Sequence, residues 1–205
     1  MKIVSTIKNI IKNKWREGTE KLRFLNTKRK TIKLRELRKS DIERWSNPKE
    51  LLENWNERTA ILGSKISEGA SVIEFGAGNL ALKNYLPDNC KYQASDLISR
   101  NKDILACDLN EKIEIDLSGY DTVVFSGVLE YVYDIEKVFQ QFPDSIRTVL
   151  LSYACTDISS APRLKLGWLS DYTTKELTTI FAKNNYTVKE YLEWRKQSIF
   201  YLKKQ

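Results

Sequence analysis

The stretch that decides the fold runs Ser71-Val-Ile-Glu-Phe75-Gly76-Ala77-Gly78-Asn79-Leu80-Ala81. Its first five residues predict a short buried strand, and residues 79–86 predict a helix that ends before Pro87. Gly76 and Gly78 let the backbone turn sharply and let a ligand approach it closely. A strand, a glycine-rich turn and a helix in this order are typical of a nucleotide-binding loop. Gly76, Gly78 and Ala81 also fit the dinucleotide pattern GxGxxA.

Strand and helix signals alternate along the rest of the chain. Further strands are predicted by the apolar segments 91–95, 104–107, 122–126, 147–153, 186–194 and 197–203. Helices are predicted over 135–142 and, after a Thr173-x-x-Glu176 capping box, up to about residue 184. This alternation predicts a mostly parallel sheet covered by helices. The last two strands are close enough in sequence to form an antiparallel pair.

Composition excludes several kinds of site. The 205 residues contain no histidine, which removes Ser-His-Asp triads, HExxH zinc sites and any histidine general base. Cys90, Cys107 and Cys155 form no CxxC pair, so we expect reduced thiols in the cytoplasm. No apolar run approaches the ~20 residues of a membrane span. Catalysis must therefore use carboxylates, hydroxyls, lysines or a cofactor.

Charge divides the chain into two predicted parts. Residues 1–45 carry 15 Lys and Arg against 5 Asp and Glu, whereas the whole chain carries 34 against 27. We therefore predict a basic N-terminal helical arm over residues 1–45. A near-neutral globular domain follows over residues 46–205.

The predicted arm has two interpretations. Apolar side chains recur at helical spacing among its lysines, at Ile3, Ile7, Ile10, Ile11 and Trp15. A basic amphipathic helix of this kind would make peripheral contact with the inner face of an anionic membrane through residues 1–39, or dock its apolar stripe on the domain. Nucleic-acid contact is not favoured, because no aromatic residues interleave the basic run at 28–39. The sequence carries no signal for an oligomeric state.

Acidic and small side chains follow the next three predicted strands. Asp96 follows the second strand, where a carboxylate can accept both hydroxyl hydrogens of a ribose. Asp108 follows the third, where a carboxylate can accept a hydrogen bond from an adenine amino group. Ser126 and Gly127 follow the fourth. Both aspartates are equally suited to capping a turn or a helix.

Taken in order, these segments resemble the motifs of class I S-adenosylmethionine-dependent methyltransferases over roughly residues 50–205. Glu74–Gly78 matches their acidic-x-Gly-x-Gly motif, and Asp96 and Asp108 match the acids after their second and third strands. Residues 121–131 match the strand that ends at the methyl-transfer site. The EFGAG, SDL, CDLN and FSGVLEY segments are also similar to those of a bacterial subgroup linked to cell-surface glycan biosynthesis.

The resemblance implies a fold, a cofactor and an activity. The fold is an α/β, Rossmann-like three-layer sandwich with a mostly parallel seven-stranded sheet, an antiparallel last strand and preceding N-terminal helices. The activity is methyl transfer from S-adenosylmethionine, without a metal, to a small-molecule or glycan acceptor, with O-methylation expected. The implied cofactor-binding residues are Glu74, Gly76, Ala77, Gly78, Asp96, Leu97, Asp108, Leu109, Ser126 and Gly127.

Two features depart from the family pattern. Only seven residues separate Asp96 from Ile104, fewer than the ~10–12 of a full crossover unit. We therefore expect a turn in place of a helix there, which leaves the adenine end of the pocket more open than usual. In addition, Tyr131 stands where many relatives have histidine.

The chemistry of methyl transfer defines the remaining candidates. The cofactor carries the electrophile, so the protein mainly supplies orientation and a water-poor site. A hydroxyl acceptor needs a proton acceptor, and the catalytic candidates are Glu130, Tyr131 and Tyr153. Arg163 is a candidate for holding an anionic group of the acceptor, and Trp168 for stacking on a sugar face. Ordinary loop packing is the simpler explanation of both Arg163 and Trp168.

Three other functions fit parts of the sequence. A methyltransferase-like domain without catalysis would serve as a binding module. An RNA methyltransferase would use the basic arm as an electrostatic tether. A nicotinamide oxidoreductase would use the same glycines and Asp96. Tyr133 and Lys137 have the Tyr-x-x-x-Lys spacing of short-chain dehydrogenases, but they follow the fourth strand instead of the fifth.

Overall fold

The computed structural model describes residues 15, 22–51 and 55–205. The predicted amphipathic stripe from Ile3 to Ile11 lies outside these residues. In the described part of the chain, no helix combines the length and apolar character that a membrane crossing requires.

Helix α1 is described over residues 22–37. The other α-helices are α2 (Ile42–Trp45), α3 (Asn56–Gly63), α4 (Ile135–Phe139), α5 (Arg163–Leu166) and α6 (Thr174–Lys183). The strands are β1 (Ser71–Phe75), β2 (Lys91–Asp96), β3 (Ile104–Ala106), β4 (Thr122–Phe125), β5 (Thr148–Tyr153), β6 (Tyr186–Trp194) and β7 (Gln197–Lys204).

The seven strands form one sheet in the order β3-β2-β1-β4-β5-β7-β6. Along this order the first five strands, β3, β2, β1, β4 and β5, pair in parallel. Strand β7 runs antiparallel to both β5 and β6. The predicted seven-stranded, mostly parallel sheet is therefore confirmed. Because the first four strands are parallel, their carboxyl ends lie at one edge, where ligands bind in sheets of this kind.

Alternating side chains of the central strands build a core on each face of the sheet. Val72 and Val124 pack with Leu62 of α3 on one face, whereas Ile73 and Phe125 belong to a larger cluster on the other. This period of two is the normal consequence of strand geometry. Burying each such side chain contributes about 1.5–3 kcal/mol relative to exposure.

Two predicted helices are shorter than expected. The segment predicted as a helix over 79–86 is a 3₁₀-helix over Ala81–Tyr85, and it follows Leu80, whose φ is +61°. This left-handed residue and Pro87 leave space for little more than one turn. Helix α4 ends at Phe139, not at 142. The capping box of Thr173 and Glu176 is present as predicted, and 97–103 form turns and bends.

Polar contacts hold the described part of the arm against the rest of the chain. The Arg35 guanidinium donates to the Trp168 carbonyl at 2.8 Å and forms an ion pair with Asp171 at 2.7 Å. The Tyr133 hydroxyl donates to the Leu34 carbonyl at 2.6 Å. The arm therefore lies beside the edge of the sheet that carries the predicted site.

Candidate functional site

A cavity of about 390 Å³ lies at the carboxyl ends of β1 to β4. Its volume is within the ~300–1,000 Å³ of small-molecule sites. All ten predicted cofactor-binding residues line it, and so do three other candidates, Glu130, Tyr131 and Trp168. The structure thus brings together residues that are spread from 74 to 168 along the chain.

The glycine-rich loop is held by the strand beside it. Gly76 and Gly78 have φ values of +71° and +51°, which side chains other than glycine rarely adopt. The Ala77 N–H donates to the Ser95 carbonyl at 3.0 Å, and the Gly78 N–H donates to Asp96 Oδ2 at 2.7 Å. Asp96 therefore fixes the loop as well as facing the cavity.

Asp96 and Asp108 both make polar contacts with side chains or backbone outside the glycine loop. The Arg100 guanidinium lies 3.1 Å from Asp96 Oδ2. Asp108 Oδ1 accepts from the Ser40 hydroxyl at 2.7 Å and from the Asn110 N–H at 3.0 Å. In each carboxylate these contacts fall on a single oxygen, Oδ2 of Asp96 and Oδ1 of Asp108.

Glu74 is a buried acid at the end of β1. It is 2% exposed and accepts a hydrogen bond from the Tyr92 hydroxyl at 2.6 Å. Burial is the main cause that raises the pKa of Glu74, and the charge of Asp96 adds to it, whereas the Tyr92 hydrogen bond and Arg58 oppose the shift. The net result is a pKa of about 8. The carboxyl group is therefore largely protonated at neutral pH.

Arg58 is the principal site residue that sequence reasoning missed. This buried residue of α3 lines the cavity. Its guanidinium donates to the Ser126 carbonyl at 3.0 Å and to Gln197 Oε1 at 2.8 Å. It also lies directly over Gly127, where any Cβ atom would overlap it. Burial lowers the pKa of Arg58, opposed by the charge of Glu130.

Glu130 combines burial with an unused oxygen. It is 1% exposed and lines the cavity. Its Oε1 accepts from the Ala154 N–H at 2.9 Å, whereas its Oε2 has no hydrogen-bond partner in the described part of the protein. Burial raises the pKa of Glu130, and the charges of Arg58 and Arg163 oppose this shift.

Tyr153 and Arg163 do not line the cavity, in contrast to their predicted roles. Tyr153 is fully buried, and its hydroxyl accepts from the Tyr172 N–H at 3.1 Å and from Arg163 at 2.8 Å. Arg163 also donates to the Ser170 carbonyl at 2.6 Å. Both side chains thus belong to a network that packs the 163–172 segment against β5. This packing leaves Arg163 to stabilise the loop in place of the predicted contact with an acceptor.

Aromatic side chains from distant elements form an aromatic wall of the cavity, made by Trp45, Trp55, Tyr131 and Trp168. Trp45 of α2 contacts Tyr131 edge to face, with ring centroids 4.8 Å apart. Trp168 and Trp55 line the same cavity. The described residues contain no group of three or more acidic or cysteine side chains that would hold a metal ion.

Comparisons with known proteins identify the fold. Neither a scan against protein-family models nor a search of curated proteins finds a match. A chain of the complex between the Haloferax volcanii Trm112 methyltransferase activator and a methyltransferase covers 81% of this chain and 98% of its own, at 12% identity and TM-score 0.65. An S-adenosylmethionine-dependent methyltransferase from Mesorhizobium loti covers 70% and 96%, at 12% identity and TM-score 0.55.

A third similar structure contains ligands. The O-methyltransferase NcsB1 from neocarzinostatin biosynthesis was solved with S-adenosylmethionine and 2-hydroxy-5-methyl naphthoic acid. It covers 92% of this chain and 70% of its own, at 15% identity and TM-score 0.61. These neighbours do not support the narrower resemblance to the glycan-biosynthesis subgroup. The protein therefore has the Rossmann-like fold of S-adenosylmethionine-dependent methyltransferases.

The raised pKa of Glu74 predicts a pH-dependent stability. Between its ordinary pKa and about 8, the folded protein keeps this proton while the unfolded chain releases it. Stability should therefore fall as pH rises through this window, by up to about 1.4 kcal/mol per pH unit from this group. Glu74→Gln is neutral at every pH, so its free energy of unfolding in urea should fall less steeply between pH 5 and 8. Equal slopes in the two proteins would contradict the assignment.

Proposed function

We propose that the cavity binds S-adenosylmethionine and that the protein transfers its methyl group to a hydroxyl of a small-molecule acceptor. One observation carries this proposal. A single cavity is lined by the glycine loop, two carboxylates at neighbouring strand ends, a buried cation and a buried carboxylate with an unused oxygen.

The residues present fit the parts of this cofactor. Asp108 would accept a hydrogen bond from the adenine amino group, and Asp96 would accept from the ribose hydroxyls. Arg58 would pair with the carboxylate of the methionine portion. The hydrogen bonds of its buried guanidinium go to neutral acceptors, on Ser126 and Gln197. A buried charge is stable only when it is paired and hydrogen-bonded, so this arrangement favours an anionic ligand group.

Mechanistically, the protein orients the reactants and manages one proton. When bound, the cofactor would supply the methyl group: the acceptor oxygen would form the new bond to carbon, and the electron pair of the carbon–sulfur bond would stay on sulfur. Glu130 Oε2 accepts the hydroxyl proton, because it is the unpartnered oxygen of a buried carboxyl that faces the cavity. The aromatic wall excludes water and positions the acceptor.

The wall also favours a class of acceptor. Trp45, Tyr131 and Trp168 line the cavity, and aromatic side chains suit an acceptor that carries a ring. An aromatic small molecule with a hydroxyl group fits this wall, as does a sugar ring stacked on Trp168. NcsB1, with its naphthoic acid ligand, is a neighbour that was solved with a molecule of the first kind.

Arg58→Met tests the placement of the cofactor. The change preserves most of the side-chain volume and removes the charge, so S-adenosylhomocysteine should bind at least tenfold more weakly, a loss of about 1.4 kcal/mol or more. Binding of 5′-methylthioadenosine, which lacks the amino acid portion, should change less than threefold. Calorimetric titration measures both. Equal weakening of the two ligands would show that Arg58 does not contact the carboxylate.

Glu130→Gln tests the proton acceptor. The variant keeps an oxygen for the Ala154 N–H, so S-adenosylhomocysteine affinity should be unchanged within twofold. Methyl transfer to a panel of phenols and sugars, followed as S-adenosylhomocysteine release, should fall about 10²–10⁴-fold in kcat. Because burial raises the pKa of Glu130, wild-type kcat should increase with pH until this group is ionised. Undiminished turnover in the variant would refute the assignment.

We also propose that the outer face of the arm makes peripheral contact with an anionic membrane. Of ten large apolar side chains exposed in the described part of the chain, seven lie between residues 15 and 42. They are Trp15, Leu22, Phe24, Leu25, Ile32, Leu37 and Ile42. Residues 22–39 also carry eight basic side chains and one acidic side chain. An exposed stripe of this composition suits an anionic lipid surface better than a second copy of an equally basic arm.

Vesicle sedimentation tests the membrane contact. The protein should bind vesicles that contain phosphatidylglycerol, bind pure phosphatidylcholine weakly, and dissociate as salt is raised. Leu25→Gln combined with Ile32→Gln should weaken binding about tenfold without changing the charge. The matched control is Tyr85→Gln combined with Leu105→Gln, which alters two exposed side chains outside the arm. Binding to RNA without binding to vesicles would instead favour an RNA methyltransferase.

A further inference from the structure

Arm residues line the cavity at the place where the short connection between β2 and β3 has no crossover helix. Residues 97–103 form turns and bends where a crossover helix would cover the adenine end of the cavity. Ser40, Asp41, Arg44 and Trp45 of the arm line that cavity instead. The Tyr133 hydroxyl, which donates to the Leu34 carbonyl at 2.6 Å, holds the arm against the domain. Within the arm, an ion pair between Lys30 and Asp41 at 2.6 Å joins α1 to the start of α2.

One arm contact reaches the carboxylate proposed to bind adenine. The Ser40 hydroxyl donates to Asp108 Oδ1 at 2.7 Å and accepts from Asn110 Nδ2 at 2.8 Å. Asn110 is in turn fixed by the Tyr131 carbonyl, to which its Nδ2 donates at 2.9 Å, and by the Tyr133 N–H, which donates to its Oδ1 at 2.8 Å. Ser40 therefore completes a hydrogen-bond chain that sets the orientation of the Asp108 carboxylate.

A second arm contact reaches the carboxylate proposed to bind ribose. The Arg100 guanidinium donates to the Trp45 carbonyl at 2.7 Å through Nη2. Its Nη1 forms the ion pair with Asp96 Oδ2 at 3.1 Å. Arg100 lies in the short connection itself, so this one side chain joins the arm, the connection and the loop that Asp96 holds.

We propose that Ser40 and Arg100 are positioning residues through which the arm orients the two cofactor carboxylates. Segment 38–45 then replaces the crossover helix as the cover of the adenosine end. This inference rests on the proposed cofactor, and it makes part of the arm necessary for tight cofactor binding.

Ser40→Ala separates positioning from general stability. The variant removes the hydroxyl that orients Asp108, so S-adenosylhomocysteine should bind about tenfold more weakly. S-inosylhomocysteine has a carbonyl oxygen in place of the adenine amino group and should lose less than threefold. The preference of the wild-type protein for the adenine ligand should therefore shrink. Ser40→Thr, which keeps the hydroxyl, should restore it.

Controls and a second variant keep the outcomes distinct. Ser46→Ala removes a hydroxyl immediately after the arm that donates to the Ile42 carbonyl at 2.8 Å, and it should bind both ligands as the wild type does. Arg100→Met acts at the ribose end and should weaken both ligands alike, about tenfold. Ser40→Ala and Asp108→Ala should be non-additive in a double-mutant cycle, because they remove the same contact.

The inference and the proposed function fail in different ways. Failure of the folded wild-type protein to bind S-adenosylhomocysteine would overturn the proposed function. Wild-type binding with unchanged affinity and unchanged adenine preference in Ser40→Ala, and unchanged affinity in Arg100→Met, would overturn the positioning role alone. If Ser40→Ala does not fold, Arg100→Met decides the question: weaker binding of both ligands supports the positioning role, and unchanged binding of both overturns it.

Discussion

The buried guanidinium of Arg58 is the interaction on which the cavity depends. Taking a cation out of water costs several kcal/mol unless its hydrogen bonds are replaced. Ser126 at the end of β4 and Gln197 at the start of β7 replace them, so one side chain joins α3 to two strands that are far apart in sequence. The same contact requires glycine at 127. The cavity is thus built around a positive charge whose hydrogen-bond partners are neutral.

Acidic groups complete the electrostatic arrangement around this cation. Burial keeps protons on Glu74 and raises the pKa of Glu130, while Asp96 has its own cation, Arg100. Each acid therefore differs in environment and can have a different task. Because the arm contributes Ser40 and Trp45 to the same cavity, its contacts with the domain influence the site, whatever its outer face binds.

The sheet and the residues of the glycine loop could be predicted from the sequence because their signals are local. A strand followed by Gly76 and Gly78, or by Asp96, places its last residues at the ligand edge of any parallel sheet. Arg58 and Ser40 carry no such signal, since their partners lie 68 residues away at Ser126 and Asp108. Arg163 donates to the Ala154 and Ser170 carbonyl groups and forms an ion pair with Asp171, contacts that only packing reveals.

The most direct measurement is a calorimetric titration of the folded wild-type protein with S-adenosylmethionine, S-adenosylhomocysteine and reduced nicotinamide adenine dinucleotide. We expect S-adenosylmethionine and S-adenosylhomocysteine to bind one per chain and to compete for one site, and we expect the nicotinamide cofactor not to bind. Failure of both adenosyl ligands would contradict the central claim and favour a binding module without cofactor. Binding of the nicotinamide cofactor alone would contradict it in favour of an oxidoreductase.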